Sequence, residues 1–123
     1  MILAFLLLAA VAALAVTGGT TSVTANSFAS GAGDITTTTP TASAGTVSGG
    51  ATPYSYLWQY VSGTAATVTS GTSAGTTFSR TIYVISGGFE TAEGIYRCRI
   101  TDSLGAVVYG PNCTVTTNHT SLG

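Results

Sequence analysis

Apolar and polar positions alternate most clearly from Tyr54 to Val61. Tyr54, Tyr56, Trp58 and Tyr60 fall on one side, and Ser55, Leu57, Gln59 and Val61 on the other. A period of two predicts a half-buried strand. Thr77 to Ile85 repeats the pattern, with Phe78, Arg80, Ile82 and Val84 set against Thr77, Ser79, Thr81, Tyr83 and Ile85. A third run, Ile95-Tyr96-Arg97-Cys98-Arg99-Ile100, ends in Asp102-Ser103-Leu104-Gly105, a strand feeding a tight turn. Shorter strands are expected at Thr41–Val47, Thr67–Thr69, Ala106–Tyr109 and Cys113–Thr116, and less distinctly at Val23–Ala25 and Ile35–Thr37. Ser48-Gly49-Gly50, Ser62-Gly63, Ser70 to Gly75 and Ser86-Gly87-Gly88 punctuate them. Pro111 has no N–H to give, so the last strand is expected to bend at Gly110-Pro111. About seven short strands separated by regular turns predict an all-β, two-sheet sandwich.

The beginning of the chain breaks this pattern. Met1 to Val16, MILAFLLLAAVAALAV, holds no polar side chain, and its Leu and Ala favour a helix. It is shorter than the roughly 20 residues of a membrane span. Ala13-Leu14-Ala15 offers a small-x-small cleavage site, yet no Lys or Arg precedes the run. A signal peptide, an uncleaved arm buried against a neighbouring subunit and a membrane anchor all remain open. The chain therefore divides into the apolar segment 1–16, a Thr/Ser/Gly-rich stalk or first strand at 17–34, a sandwich at 35–117 and a loose polar tail at 118–123.

Charge is sparse. Three arginines and no lysine face four acids, for a net charge of -1. Nucleic-acid binding needs several cations to displace counterions, so no nucleic-acid partner is expected. Low net charge favours association, so a homo-oligomer or a place within an assembly is expected. His119, the one histidine, falls in the expected tail, away from any nucleophile it would have to activate. The acids Asp34, Glu90, Glu93 and Asp102 form no metal-ligand spacing. No catalytic, cofactor or metal site is expected, and no enzyme activity.

Two segments resemble the Ig-like, or PKD-like, modules of bacteria and phages. One is Ser48-Gly49-Gly50-Ala51-Thr52-Pro53-Tyr54-Ser55-Tyr56-Leu57-Trp58, similar to their B–C region. The other is Gly94-Ile95-Tyr96-Arg97-Cys98-Arg99-Ile100-Thr101-Asp102-Ser103-Leu104-Gly105, similar to their F strand and F–G turn. The resemblance implies that Trp58 fills the centre of the sandwich. It implies that Tyr96 ties the E–F corner with its hydroxyl, and that Asp102 and Gly105 shape the F–G turn. Ala42, Ala44 and Thr46 stand where antibody domains carry the strand B cysteine, so that disulfide is absent.

Cys98 and Cys113 share a face of the F–G hairpin. They either bridge, if the Pro111 bulge restores register, or remain buried thiols. Tyr54, Tyr56 and Tyr60 are candidates for a binding surface, set against a place in the core. The resemblance implies a structural or decoration component of a virion, capsid or tail. Its apolar N-terminal segment would lock it to neighbouring subunits, and its sandwich would be displayed at the virion surface toward a host glycan or protein. The alternative is a secreted or surface-anchored binding module with its leader removed.

Overall fold

The alternating segments become the long strands. A computed structural model of the chain, which describes residues 11–123, contains strands and no helix among those residues. In chain order they are β1 Ala15–Thr17, β2 Ser22–Ala29, β3 Gly33–Thr38, β4 Ala42–Ser43, β5 Thr46–Ser48 and β6 Ser55–Gly63, followed by β7 Thr67–Val68, β8 Gly75–Thr76, β9 Phe78–Val84, β10 Phe89–Thr101, β11 Val107–Tyr109 and β12 Cys113–Ser121.

One layer is built around β10. Its Gly94–Thr101 stretch pairs with β6 on one edge. On the other edge β12 covers Phe89–Tyr96 and β11 covers Arg99–Thr101. So β11 and β12 are one strand interrupted at Gly110-Pro111, where the missing N–H of proline predicts the break. β2 continues the layer, running parallel to β12 from Ser22 opposite Thr114 to Ala29 opposite Ser121.

The second layer has β9 between β3 and β7, with β4 pairing β8 further along the same two segments. The first strand of the chain is shared between layers. β1 pairs antiparallel with β5, Val16 opposite Val47, and β2 then joins the other sheet. The crossing is made at Gly18-Gly19. Gly19 has φ +102°, and a Cβ there would stand 2.8 Å from Pro111 Cδ and 3.1 Å from the Ala44 carbonyl, so no larger residue fits.

The layers enclose a core of Trp58, Phe78, Tyr96, Cys98, Ile100, Cys113 and Val115. Trp58 meets Phe78 edge to face at 5.9 Å, and Phe78 meets Tyr96 at 4.7 Å. Such aromatic pairs add to the burial of apolar area that drives the packing. Toward the far end of β12 the interior turns polar, with Thr37, Thr117, His119 and Ser121 all buried. Threonine fits a pleated surface through its methyl group, and the Thr37 hydroxyl finds a partner across the sandwich in Ser27 Oγ at 2.6 Å, whereas Ser121 Oγ is buried without one.

Two expectations change and one alternative is decided. Residues 118–121 are not a loose tail: β12 alternates inward through Thr117, His119 and Ser121. Of the two forms open to 17–34, stalk or strand, most of it is strand, because β2 has a partner edge to complete. The apolar segment 1–16 does not end as a helix; Ala15–Thr17 is strand, since Thr46–Ser48 offers an open edge. Residues 1–10, where the rest of the expected helix falls, lie outside the described residues.

Candidate functional site

Trp58 lies at the centre of β6, opposite Cys98 on β10. Its indole N–H donates to Ser73 O at 2.9 Å, which satisfies the polar atom of an otherwise apolar residue. Tyr96 is 2 % exposed. Its hydroxyl does not tie the connection leading into β10. It donates to Ala66 O at 3.0 Å and accepts from Ala66 N–H at 2.7 Å, so it anchors the loop between β6 and β7. Gly94 makes room for that loop, because a Cβ there would run into the Thr64 carbonyl oxygen.

Asp102 organises the other end of β10. Its Oδ1 accepts from Leu104 N–H at 3.0 Å and Ala106 N–H at 2.8 Å, and its Oδ2 accepts from Ala51 N–H at 3.1 Å. The Ala51 N–H, and then those of Ala106, Leu104 and Gly105, hold the carboxyl below the usual carboxylate range against the opposing effect of burial. Gly105, at φ +89°, closes the turn by donating to Asp102 O at 3.2 Å. The same carboxylate therefore fixes two loops, the β10–β11 turn and the segment that leads into β6.

Cys98 and Cys113 are free and fully buried. Cys113 stands opposite Tyr96, whereas Cys98 is two residues further along β10, with its carbonyl accepting from Gly110 N–H at 2.9 Å. The Gly110-Pro111 interruption leaves the cysteines diagonal instead of restoring register, so of the two alternatives they take the second, buried thiols. Burial raises both thiols above the ordinary cysteine range.

The three tyrosines are not an exposed platform. Tyr56 and Tyr60 point the same way as Trp58, and Tyr54 and Tyr56 pack against the core. The Tyr54 hydroxyl donates to Gly49 O and that of Tyr60 to Gly63 O. Tyr60 alone is half exposed, tilted against Tyr96 at 5.8 Å.

The exposed surface of interest is elsewhere, on the outer face of β2, β12 and β10. The pairing places Asn26, Asn118 and Thr91 in one row and Phe28, Thr120 and Phe89 in the next. Asn118 donates to Asn26 Oδ1 at 2.8 Å and accepts from the Thr91 hydroxyl. Phe28 and Phe89 are largely exposed at either end of their row. These two rows hold amides, hydroxyls and two apolar rings, with the exposed Glu93 in the row beyond, and suit shape and hydrogen bonding more than charge. Their signal in the sequence is the alternation Thr114, Thr116, Asn118, Thr120, which a hydropathy pattern passes over.

Inside the same end, Arg80 reaches Glu90 at 3.3 Å. His119 Nε2 lies 3.0 Å from Arg80 O. A carbonyl only accepts, so that nitrogen carries the proton and Nδ1 is buried without a partner. The histidine therefore stands well inside the sandwich, holding β12 to β9. No family model, curated protein or solved structure matches the chain.

Proposed function

We propose that the chain is a non-enzymatic Ig-like sandwich that serves as a structural part of a virion, a capsid or tail decoration of a tailed phage, and gives its surface weak adhesion. The observation that carries this reading is the strand order. β3, β9 and β7 stand as strands B, E and D of an Ig-like sandwich, and β6, β10 and β11–β12 as C, F and G. Trp58 on the C strand opposes Cys98 on the F strand, in keeping with the two segments that resemble phage modules. The virion assignment rests on that resemblance, which is an argument from analogy.

A retained N-terminal segment fits it: Gly50 N–H donates to Ala12 O at 2.7 Å and Ala15 pairs with Ser48, contacts that cleavage after Ala15 would remove while leaving Val16 and Thr17 paired. Immunogold labelling of purified particles tests the reading. Gold on the particles is the expected result, and label confined to the medium or the cell envelope overturns it.

A second reading has one observation in its favour. The exposed Phe28 and Phe89 beside Asn26, Asn118 and Thr120 suit a glycan, whose ring faces stack on aromatics while its hydroxyls bond amides. It describes a secreted or surface-anchored binding module. Binding of the purified protein to a panel of neutral polysaccharides, lost in Phe28→Ala, supports that reading.

A further inference from the structure

The two ends of the sandwich differ in a way that suggests how copies meet. At one end Ala12 bonds to Gly50, and Ser103 N–H donates to Ala51 O at 2.9 Å. Residues 1–10 join the described chain at this end. At the other end β2 and β12 finish side by side, with Leu122 N–H donating to Ala29 O at 2.7 Å and Ser121 N–H to Gly88 O at 2.8 Å. Around that end stands a collar of exposed apolar side chains: Phe28 at 67 %, Tyr83 at 63 %, Ile85 at 68 %, Phe89 at 64 % and Leu122 at 69 %. So many large apolar groups exposed together mark a contact surface.

The strand edges beside the collar are also open. β7 pairs only Phe78 and Ser79 of β9, and β6 pairs β10 only from Gly94 onward. Thr39 N–H donates to Phe78 O, so the even residues of β9 bond toward β3. The odd ones, Thr81 and Tyr83, therefore turn their N–H and C=O groups to the open edge. A groove of about 430 Å³, lined by Ala65–Thr67 and Ser79–Ile82, runs beside it.

We infer that this end receives residues 1–10 of a second copy of the chain, so that copies add head to tail. The inference rests on the reading of the chain as a structural module. Met1–Ala10 consists of apolar residues alone, and an uncharged extended segment is what an open edge flanked by apolar side chains accepts. Reach decides between the chain's own collar and a neighbour's. β12, nine residues long, spans about 30 Å of the sandwich. Residues 1–10 fully extended cover roughly 33–36 Å. Folding back along its own domain would use the whole segment in transit and leave nothing to dock. A neighbour stacked end to end requires no such transit. The contact is heterologous, joining two different surfaces, so it propagates instead of closing on itself.

Sedimentation velocity on the full-length protein across a concentration series tests this. The wild type is expected to form a ladder of species, whereas Phe5→Asp in the segment and Phe28→Ser/Phe89→Ser in the collar each give a monomer. Both collar positions are exposed, and an unchanged circular dichroism spectrum verifies their fold. Mixing the two variants one to one leaves one working pair of surfaces and should stop at a dimer. A collar variant that associates like wild type, while Phe5→Asp does not, means that segments bind each other and overturns the inference. A monomeric wild type overturns it too. Gold-labelled particles with either of these results would remove the inference alone; a ladder without particle label would remove the virion assignment alone.

Discussion

The hydroxyl of Tyr96 is bonded twice to one residue, donating to the carbonyl of Ala66 and accepting from its N–H. A buried strand thereby holds a loop 30 residues away in sequence. Tyr96→Phe keeps the ring against Phe78 but leaves both Ala66 groups without their partner. The expected cost is about 1–3 kcal/mol in urea unfolding, with an unchanged m-value. A change within error of zero would show that the loop is held by other means.

Gly94 is required by the same contact. Gly94→Ala drives a methyl group into the Thr64 carbonyl, and backbone has little freedom to retreat. A loss of roughly 1–3 kcal/mol or more is expected, since overpacking a fixed site forces the strands apart. Wild-type stability in this variant would contradict the packing of the β6–β7 loop described above.

Asp102 sets an acid limit on stability. Its carboxyl is held below the unfolded value of about 3.9, chiefly by the Ala51 N–H. The stability it contributes is therefore full above that value and is lost as pH falls through the lower folded pKa. Asp102→Asn puts an amide where three N–H donors converge. It should lower the melting temperature at pH 7 and flatten the decline below pH 4. An equal slope in both proteins would assign the acid limb to other carboxylates.

How much of this was legible in the sequence depends on what each strand turns inward. β6, β9 and β10 alternate around buried aromatic and branched residues, Trp58, Phe78, Val84, Tyr96 and Ile100 among them, so their pattern announces both strand and core face. β12 keeps the same period, but past Val115 its inward residues are Thr117, His119 and Ser121. A polar residue with a buried partner looks like a polar residue in water until the partner is seen, as His119 does without the Arg80 carbonyl. Tyr54, Tyr56 and Tyr60 carried the opposite ambiguity, since a row beside a buried Trp58 is continuous with the core. The last residues of the apolar run read as helix on propensity. Their strand conformation is set by the open edge of Thr46–Ser48, a tertiary effect that no local window contains.

His119 gives a direct check on the end of β12. His119→Ala removes a fully buried ring and leaves Arg80 O without that donor. A loss of about 2–4 kcal/mol is expected, from cavity and hydrogen bond together. A neutral result would return residues 118–121 to the loose tail.

The buried thiols predict a redox-independent fold. Cys98 and Cys113 should resist a disulfide-exchange reagent in the native state and react only as the protein unfolds, because burial keeps both protonated. The melting temperature should not depend on added reductant. Loss of one pair of hydrogens in the intact mass would reveal a bridge and require a different register around Gly110-Pro111.

The most direct test of the account is the mass of the mature N-terminus, measured on protein from purified particles and from the medium in parallel. A chain that keeps residues 1–15, recovered with the particles, is the predicted result. A chain that begins at Val16 and is recovered only from the medium would contradict it.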